Sequence, residues 1–136
     1  MTAAWVFVYG TLLPGGSNHD VVAPYVLEIK VGQVMGRLVD VGSYPACVRD
    51  EEASRNGSRV RGLWLLVVIA GMAAMDELEE FYGIEEVNDY ERVFVKDAHD
   101  DDIAGWTYCW PTARGCPPIG ESSWPDYCRR LGRTVF

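Results

Sequence analysis

Between residues 5 and 110 the chain is a succession of short apolar runs rich in Val, Trp, Phe and Tyr, each ending at Gly, Pro or a polar cluster. Runs of this kind are strand signals. One stretch breaks the pattern: in residues 69–80, Ala, Met, Leu and Glu dominate, and these residue types favour a helix. Strands in this number, with one substantial helix between them, must bury their faces against each other and against that helix. The pattern therefore predicts an α+β domain of six or seven strands, built as a strongly curled sheet or a closed β-barrel, with few flanking helices. Periodicity does not choose between the two.

The expected strands are 5–9, 44–48, 59–68, 87–96 and 103–110, together with 28–41 as one long bent strand or two. Gly32 and Gly36 inside that last run suggest bulges or close backbone approach. The first strand stops at Gly10 and runs into Pro14-Gly15-Gly16. Asn56-Gly57, in the polar segment 50–58, predicts a hairpin turn. Residues 18–22 suit a helical turn, 99–102 a polar turn, and 111–122 an irregular loop. Ser122 or Ser123 would cap a last short helix with Pro125 in its first turn. With no repeat, linker or low-complexity stretch, residues 1–136 read as a single domain.

Hydrophobic residues make up 49% of the chain and charged residues 24%, which suits a globular domain and not a disordered one. The net charge of −8 argues against nucleic acid or an anionic membrane surface as partner, since both require an excess of Lys and Arg. The longest apolar run, 63–75, falls short of the ~20 residues of a membrane helix. Cys47, Cys109, Cys116 and Cys128 contain no C-x-x-C pair, which argues against a zinc or thioredoxin-like site. The N-terminus has no basic region and 5–8 is too short for a signal core, so reduced, mostly buried thiols in a cytoplasmic protein are expected.

Residues 69–80 also carry the most informative side chain. At ~100° per residue, with Met72 at zero, Met75 falls near −60° and Ile69 near +60°, and Glu79 lies at about −20° in the middle of this apolar stripe. Glu77 and Glu80, at about 140° and 80°, face water, and Asp76 sits at the stripe's edge near 40°. A carboxylate aimed at apolar surroundings has a raised pKa and needs a reason to be there. Two reasons compete: a structural ion pair, with Arg92 or Arg61, or a general acid or base lining a pocket.

A second candidate is the loop Tyr9-Gly10-Thr11-Leu12 with Asn18-His19 following. A buried strand ending at glycine presents backbone N–H groups able to cradle an anion, although an ordinary tight turn has the same sequence signature. His19 with Cys47 as a thiol nucleophile pair is a more distant alternative.

Taken in order, the segments Val6-Phe7-Val8-Tyr9-Gly10-Thr11-Leu12, Asn18-His19, Gly36-Arg37-Leu38-Val39-Asp40, Tyr44-Pro45-Ala46, Gly62-Leu63-Trp64, Met75-Asp76-Glu77-Leu78-Glu79, Tyr90-Glu91-Arg92 and Trp106-Thr107-Tyr108 resemble the γ-glutamylcyclotransferase-like (AIG2-like) family. The resemblance covers roughly residues 5–110. Met75 stands where the family has leucine, and Glu80 where many members have glycine. The resemblance implies a mixed β-barrel with helices outside it and a cavity near the Tyr-Gly-Thr-Leu loop. It implies Glu79 as the catalytic carboxylate, with Tyr9, Gly10, Thr11, Leu12 and Tyr108 around a small γ-glutamyl substrate. The implied reaction closes that substrate to 5-oxoproline and releases an amine, with no metal or organic cofactor. A γ-glutamyl-removing enzyme of a biosynthetic pathway, and a binding module of the same fold without turnover, are the alternatives.

Overall fold

The computed structural model describes residues 2–16, 19–42, 44–73 and 91–133. Among these, seven strands form two sheets. β1 (Ala3–Val8), β2 (Val26–Met35), β5 (Arg59–Val68), β6 (Glu91–Lys96) and β7 (Ala104–Cys109) make a five-stranded sheet in the order β2-β5-β1-β7-β6. β3 (Arg37–Asp40) and β4 (Pro45–Val48) form a two-stranded sheet. In the large sheet only β1 and β7 run parallel, so the sheet is mixed as expected. The expected run 28–41 resolves into β2 and β3, separated at Gly36.

Adjacent residues of β1 face opposite ways, and both faces are covered, which is why its sequence is apolar almost without alternation. Phe7 and Tyr9 enter one cluster with Val34, Val60, Trp64, Val95 and Ile103. Val6 and Val8 enter another with Leu12, Val22, Leu65, Val67, Met72 and Tyr108. The first cluster unites Val34 of β2 with Val95 of β6, the two outer strands of the sheet, so it fills the concave side of a strong curl. Phe7 meets Trp64 there edge to face at 5.3 Å.

Asp97, immediately after β6, draws the two sheet edges together. Its carboxylate accepts from Gln33 N at 2.8 Å, Trp64 Nε1 at 2.8 Å, and His99 N and Asp100 N at 2.9 Å each. Ala98 N donates to Gln33 O at 2.7 Å. The approach is so close that a Cβ on Gly32 would lie 2.2 Å from Trp64 Cδ1 and 2.7 Å from Asp97 Oδ1. Among the described residues β2 and β6 meet only at this end and form no continuous ladder, so these residues show a curled sheet and no closed barrel.

A second departure from the sequence expectation is at 50–58. No hairpin forms there: residues Glu51–Asn56 are a helix, α2, following the short helix α1 (His19–Val22). Asp50 caps α2 by accepting from Ala53 N, Glu51 and Glu52 occupy its positively polarised first turn, and Ala53 is buried. Gly57, at φ 63°, closes the helix in the left-handed region, so the Asn-Gly pair ends a helix where it was expected to turn a hairpin.

A further helix, α3, begins at residue 69; its described part is 69–73. α4 (Trp124–Leu131) is capped by Ser123 with Pro125 in its first turn, and its Trp124, Tyr127 and Cys128 join the concave-side cluster. All four cysteines are free thiols, with Cys116 half-buried and the others buried. No helix among the described residues is long and apolar enough to cross a membrane.

Candidate functional site

The loop after β1 is a chain of tight turns. Leu13 N donates to Gly10 O at 3.0 Å, Gly16 N to Leu13 O at 2.7 Å, and His19 N to Gly16 O at 3.2 Å. The His19 ring folds back over it, and Nδ1–H donates to Leu12 O at 2.7 Å. His19 thus braces the loop from α1. Pro45 packs against the loop's start, where a Cβ on Gly10 would lie 2.9 Å from Pro45 Cγ. Two segments far apart in sequence, Tyr9–Leu12 and Tyr44–Ala46, are therefore one piece of structure.

Tyr9 lies beneath this loop on the concave side, 7% exposed. Its hydroxyl donates to Tyr108 O at 2.6 Å and accepts from Cys47 N at 3.1 Å. One phenol thus ties β1 to β7 and β4, a role for its oxygen that the sequence did not disclose. The Tyr108 ring points to the opposite side, where it joins Leu12 and Met72. The five residues expected around a ligand are brought together by the fold at one end of β1. They divide between its two faces: the Tyr9 ring on one, Leu12 and Tyr108 on the other.

Met72 is 6% exposed and joins the cluster that holds Leu12 and Tyr108, consistent with its place on the expected core-facing stripe. Ile69 departs from the expected stripe and is 49% exposed, because it sits at the first turn, where the chain is still leaving β5. Glu79, with Glu77, Glu80, Asp76, Met75 and Tyr82, lies outside the described residues, as do Asn18 and Tyr90. Of the two arginines weighed as structural partners for Glu79, Arg61 donates to Ser122 Oγ at 2.8 Å and to the Asp126 carboxylate. Arg92 lies over the Trp106 ring, 5.1 Å from its centroid.

Cys47 is a poor nucleophile where it stands. It is fully buried, and burial pushes its thiol far above the ordinary range, with the neighbouring Cys109 adding to the shift and Arg49 opposing it. Burial likewise pushes Cys109 up to about 11. A reactive cysteine needs the opposite, a lowered pKa and access. An open groove of about 590 Å³ lies on the far flank of the loop, between Leu13, Pro14, Arg61 and the start of α4. Its charged groups are engaged with each other, Asp126 pairing with both Arg129 and Arg61.

The features assembled so far define a small mixed α+β fold: a curled sheet, a tightly braced loop after its central strand, and a helix that follows β5 onto the same side as Leu12 and Tyr108. The family model for gamma-glutamyl cyclotransferase, AIG2-like, matches residues 6–126, and the chain belongs to that family. It is 31% identical over 108 residues to the gamma-L-glutamyl-butirosin B gamma-glutamyl cyclotransferase of Niallia circulans, covering 77% of this chain and 65% of that one. YkqA of Bacillus subtilis shares the fold with a TM-score of 0.71 at 18% identity, over 96% of this chain and 43% of the other. An AIG2-like protein of Mus musculus shares it with a TM-score of 0.66 at 21% identity, over 91% and 89% of the two chains. This chain therefore spans about two thirds of the curated relative and less than half of YkqA.

Proposed function

We propose that this chain is a γ-glutamyl cyclotransferase that closes a γ-glutamyl compound to 5-oxoproline and releases an amine, with Glu79 as its general acid and base. In this reaction the substrate's own α-amine attacks its γ-carbonyl. A C–N bond closes the five-membered ring and the bond to the leaving amine breaks, so no water is consumed. The nucleophile is already tethered, and proximity supplies much of the acceleration. Three tasks remain: deprotonating the α-ammonium, holding the oxyanion, and returning a proton to the leaving amine.

One carboxylate with a raised pKa serves for both proton transfers. Glu79 follows Met72 by seven residues, about two helical turns, so a helix continued in phase aims both the same way. Met72 is buried in the cluster that also holds Leu12 and Tyr108, and this burial is the observation that supports the reading. Backbone N–H groups of Gly10–Leu12 are assigned to the substrate α-carboxylate or the oxyanion. Tyr9 contributes by holding the loop to β4 and β7, and Tyr108 by lining the ligand's side of it.

The Niallia circulans relative is named for γ-L-glutamyl-butirosin B, which supports a specific version, removal of a γ-glutamyl group from such a compound. The test is release of 5-oxoproline from γ-glutamyl amino acids, γ-glutamylamines and γ-L-glutamyl-butirosin B, with wild type and Glu79→Gln side by side. Turnover by wild type, lost in Glu79→Gln with ligand affinity kept, is the expected result. Equal turnover by both would sink the mechanism. Tight binding without product from any donor would make the chain a binding module.

A further inference from the structure

β2 is the outer strand of the large sheet, and its first half offers a template for a second copy of the chain. Gln33 donates its N–H to Asp97 Oδ1 and accepts at its carbonyl from Ala98 N, so both groups point away from β5. Backbone direction repeats every two residues along a strand, so Val31 and Ile29 turn their N–H and C=O groups to the same outer edge. No strand pairs with that edge among the described residues. The side chains there are apolar: Leu27, Ile29 and Val31 are 57%, 47% and 85% exposed. Between them, Glu28 and Lys30 share the other face and approach each other within the strand at 4.0 Å.

We propose that two copies associate by antiparallel pairing of β2 with β2 about a two-fold axis through Ile29. This register is singled out by charge. It sets Ile29 opposite its own copy, and it places Glu28 opposite Lys30 of the second copy, twice. Directly opposed residues of opposite charge stabilise an antiparallel pair, and like charges there destabilise it. The symmetric arrangement uses one patch on both copies and closes as a dimer. The β-bulge between Val26 and Glu28 limits the pairing to the short stretch around Ile29, so the dimer forms in a concentration-dependent way.

The experiment is sedimentation of the full chain over a wide concentration range, with variants checked for native circular dichroism. Wild type is expected to pass from monomer to dimer mass as concentration rises. Glu28→Lys alone, or Lys30→Glu alone, sets two like-charge pairs across the axis and is expected to raise the dissociation constant about tenfold. The double exchange Glu28→Lys with Lys30→Glu restores opposite charges and is expected to bring association back. Ile29→Pro removes the central N–H donors from the outer edge without touching the β5 ladder, and is expected to stay monomeric. A wild type that is monomeric throughout overturns the proposal, as does association unchanged by Ile29→Pro or not restored by the double exchange.

Discussion

The two faces of the large sheet are built from alternate residues of the same strands, yet they differ in how firmly they are tied. The concave face is bound at every turn. Asp97 collects four donors, the Tyr9 hydroxyl joins three strands, and α4 packs Trp124 and Tyr127 into it. The opposite face is covered by loop and helix, with Leu12, Met72 and Tyr108 meeting from three elements. At its rims stand Ile29, Val31 and Phe94, all exposed. The contrast gives the firmest ties to the concave side, and the proposed chemistry falls on the other. The interior of the curl is packed with Phe7, Trp64 and Val34, and the proposed ligand site lies on the other face, beside Leu12 and Tyr108.

The sharpest way to break this division is Glu79→Gln. If the second face carries the chemistry, 5-oxoproline release falls by on the order of 10²–10⁴-fold while the urea midpoint stays put. Asp97→Ala probes the first face. It orphans buried donors, Trp64 Nε1 among them, and should cost about 3 kcal/mol in chemical denaturation. Retained kcat in the surviving folded fraction would separate scaffold from site. Tyr9→Phe deletes one oxygen shared by Cys47 N and Tyr108 O and should cost about 1–2 kcal/mol, with a rise in KM as the loop loosens. A loss of kcat with unchanged stability would instead place the phenol in the reaction. Cys47→Ser should leave turnover unaltered; its loss there, with Glu79→Gln active, would revive thiol chemistry.

Acid offers a smaller, independent test. Burial of Asp97 acts to raise its pKa, but hydrogen bonds from Gln33, Trp64, His99 and Asp100 outweigh it and hold the carboxyl below its ordinary 3.8. A carboxyl whose folded pKa is depressed stabilises the fold fully above its unfolded value, and that contribution is lost as pH falls through the folded value. Stability should therefore be steady from neutrality to about pH 5 and decline below the ordinary carboxylate range. In Asp97→Asn, less stable at neutral pH, that part of the acid decline should disappear.

Much of the scaffold was legible in the residues. Strand 59–68 matches β5, the break of 28–41 falls at Gly36, and Ser123 caps α4. These are local matters of apolar run, backbone freedom and capping, which short stretches of chain settle for themselves. Asn56-Gly57 was misjudged because the pair suits both a hairpin turn and a helix end, and the choice depends on Asp50 and on Ala53 finding a buried place. Asp97 drew no notice in the sequence, since its four donors come from β2, β5 and its own turn.

By itself the sequence determined most of the strand set and a loop at the end of β1 that matches the family, and it raised the expectation that Glu79, among its neighbouring glutamates, faces the apolar stripe. The tertiary structure alone decided which groups that loop keeps for the fold. Tyr9, with the same standing in the sequence as Thr11 or Leu12, spends its hydroxyl on Tyr108 and Cys47, 99 and 38 residues away. Periodicity tells which way a side chain points from its own element. What it meets there depends on how distant segments pack, and only the folded chain fixes that.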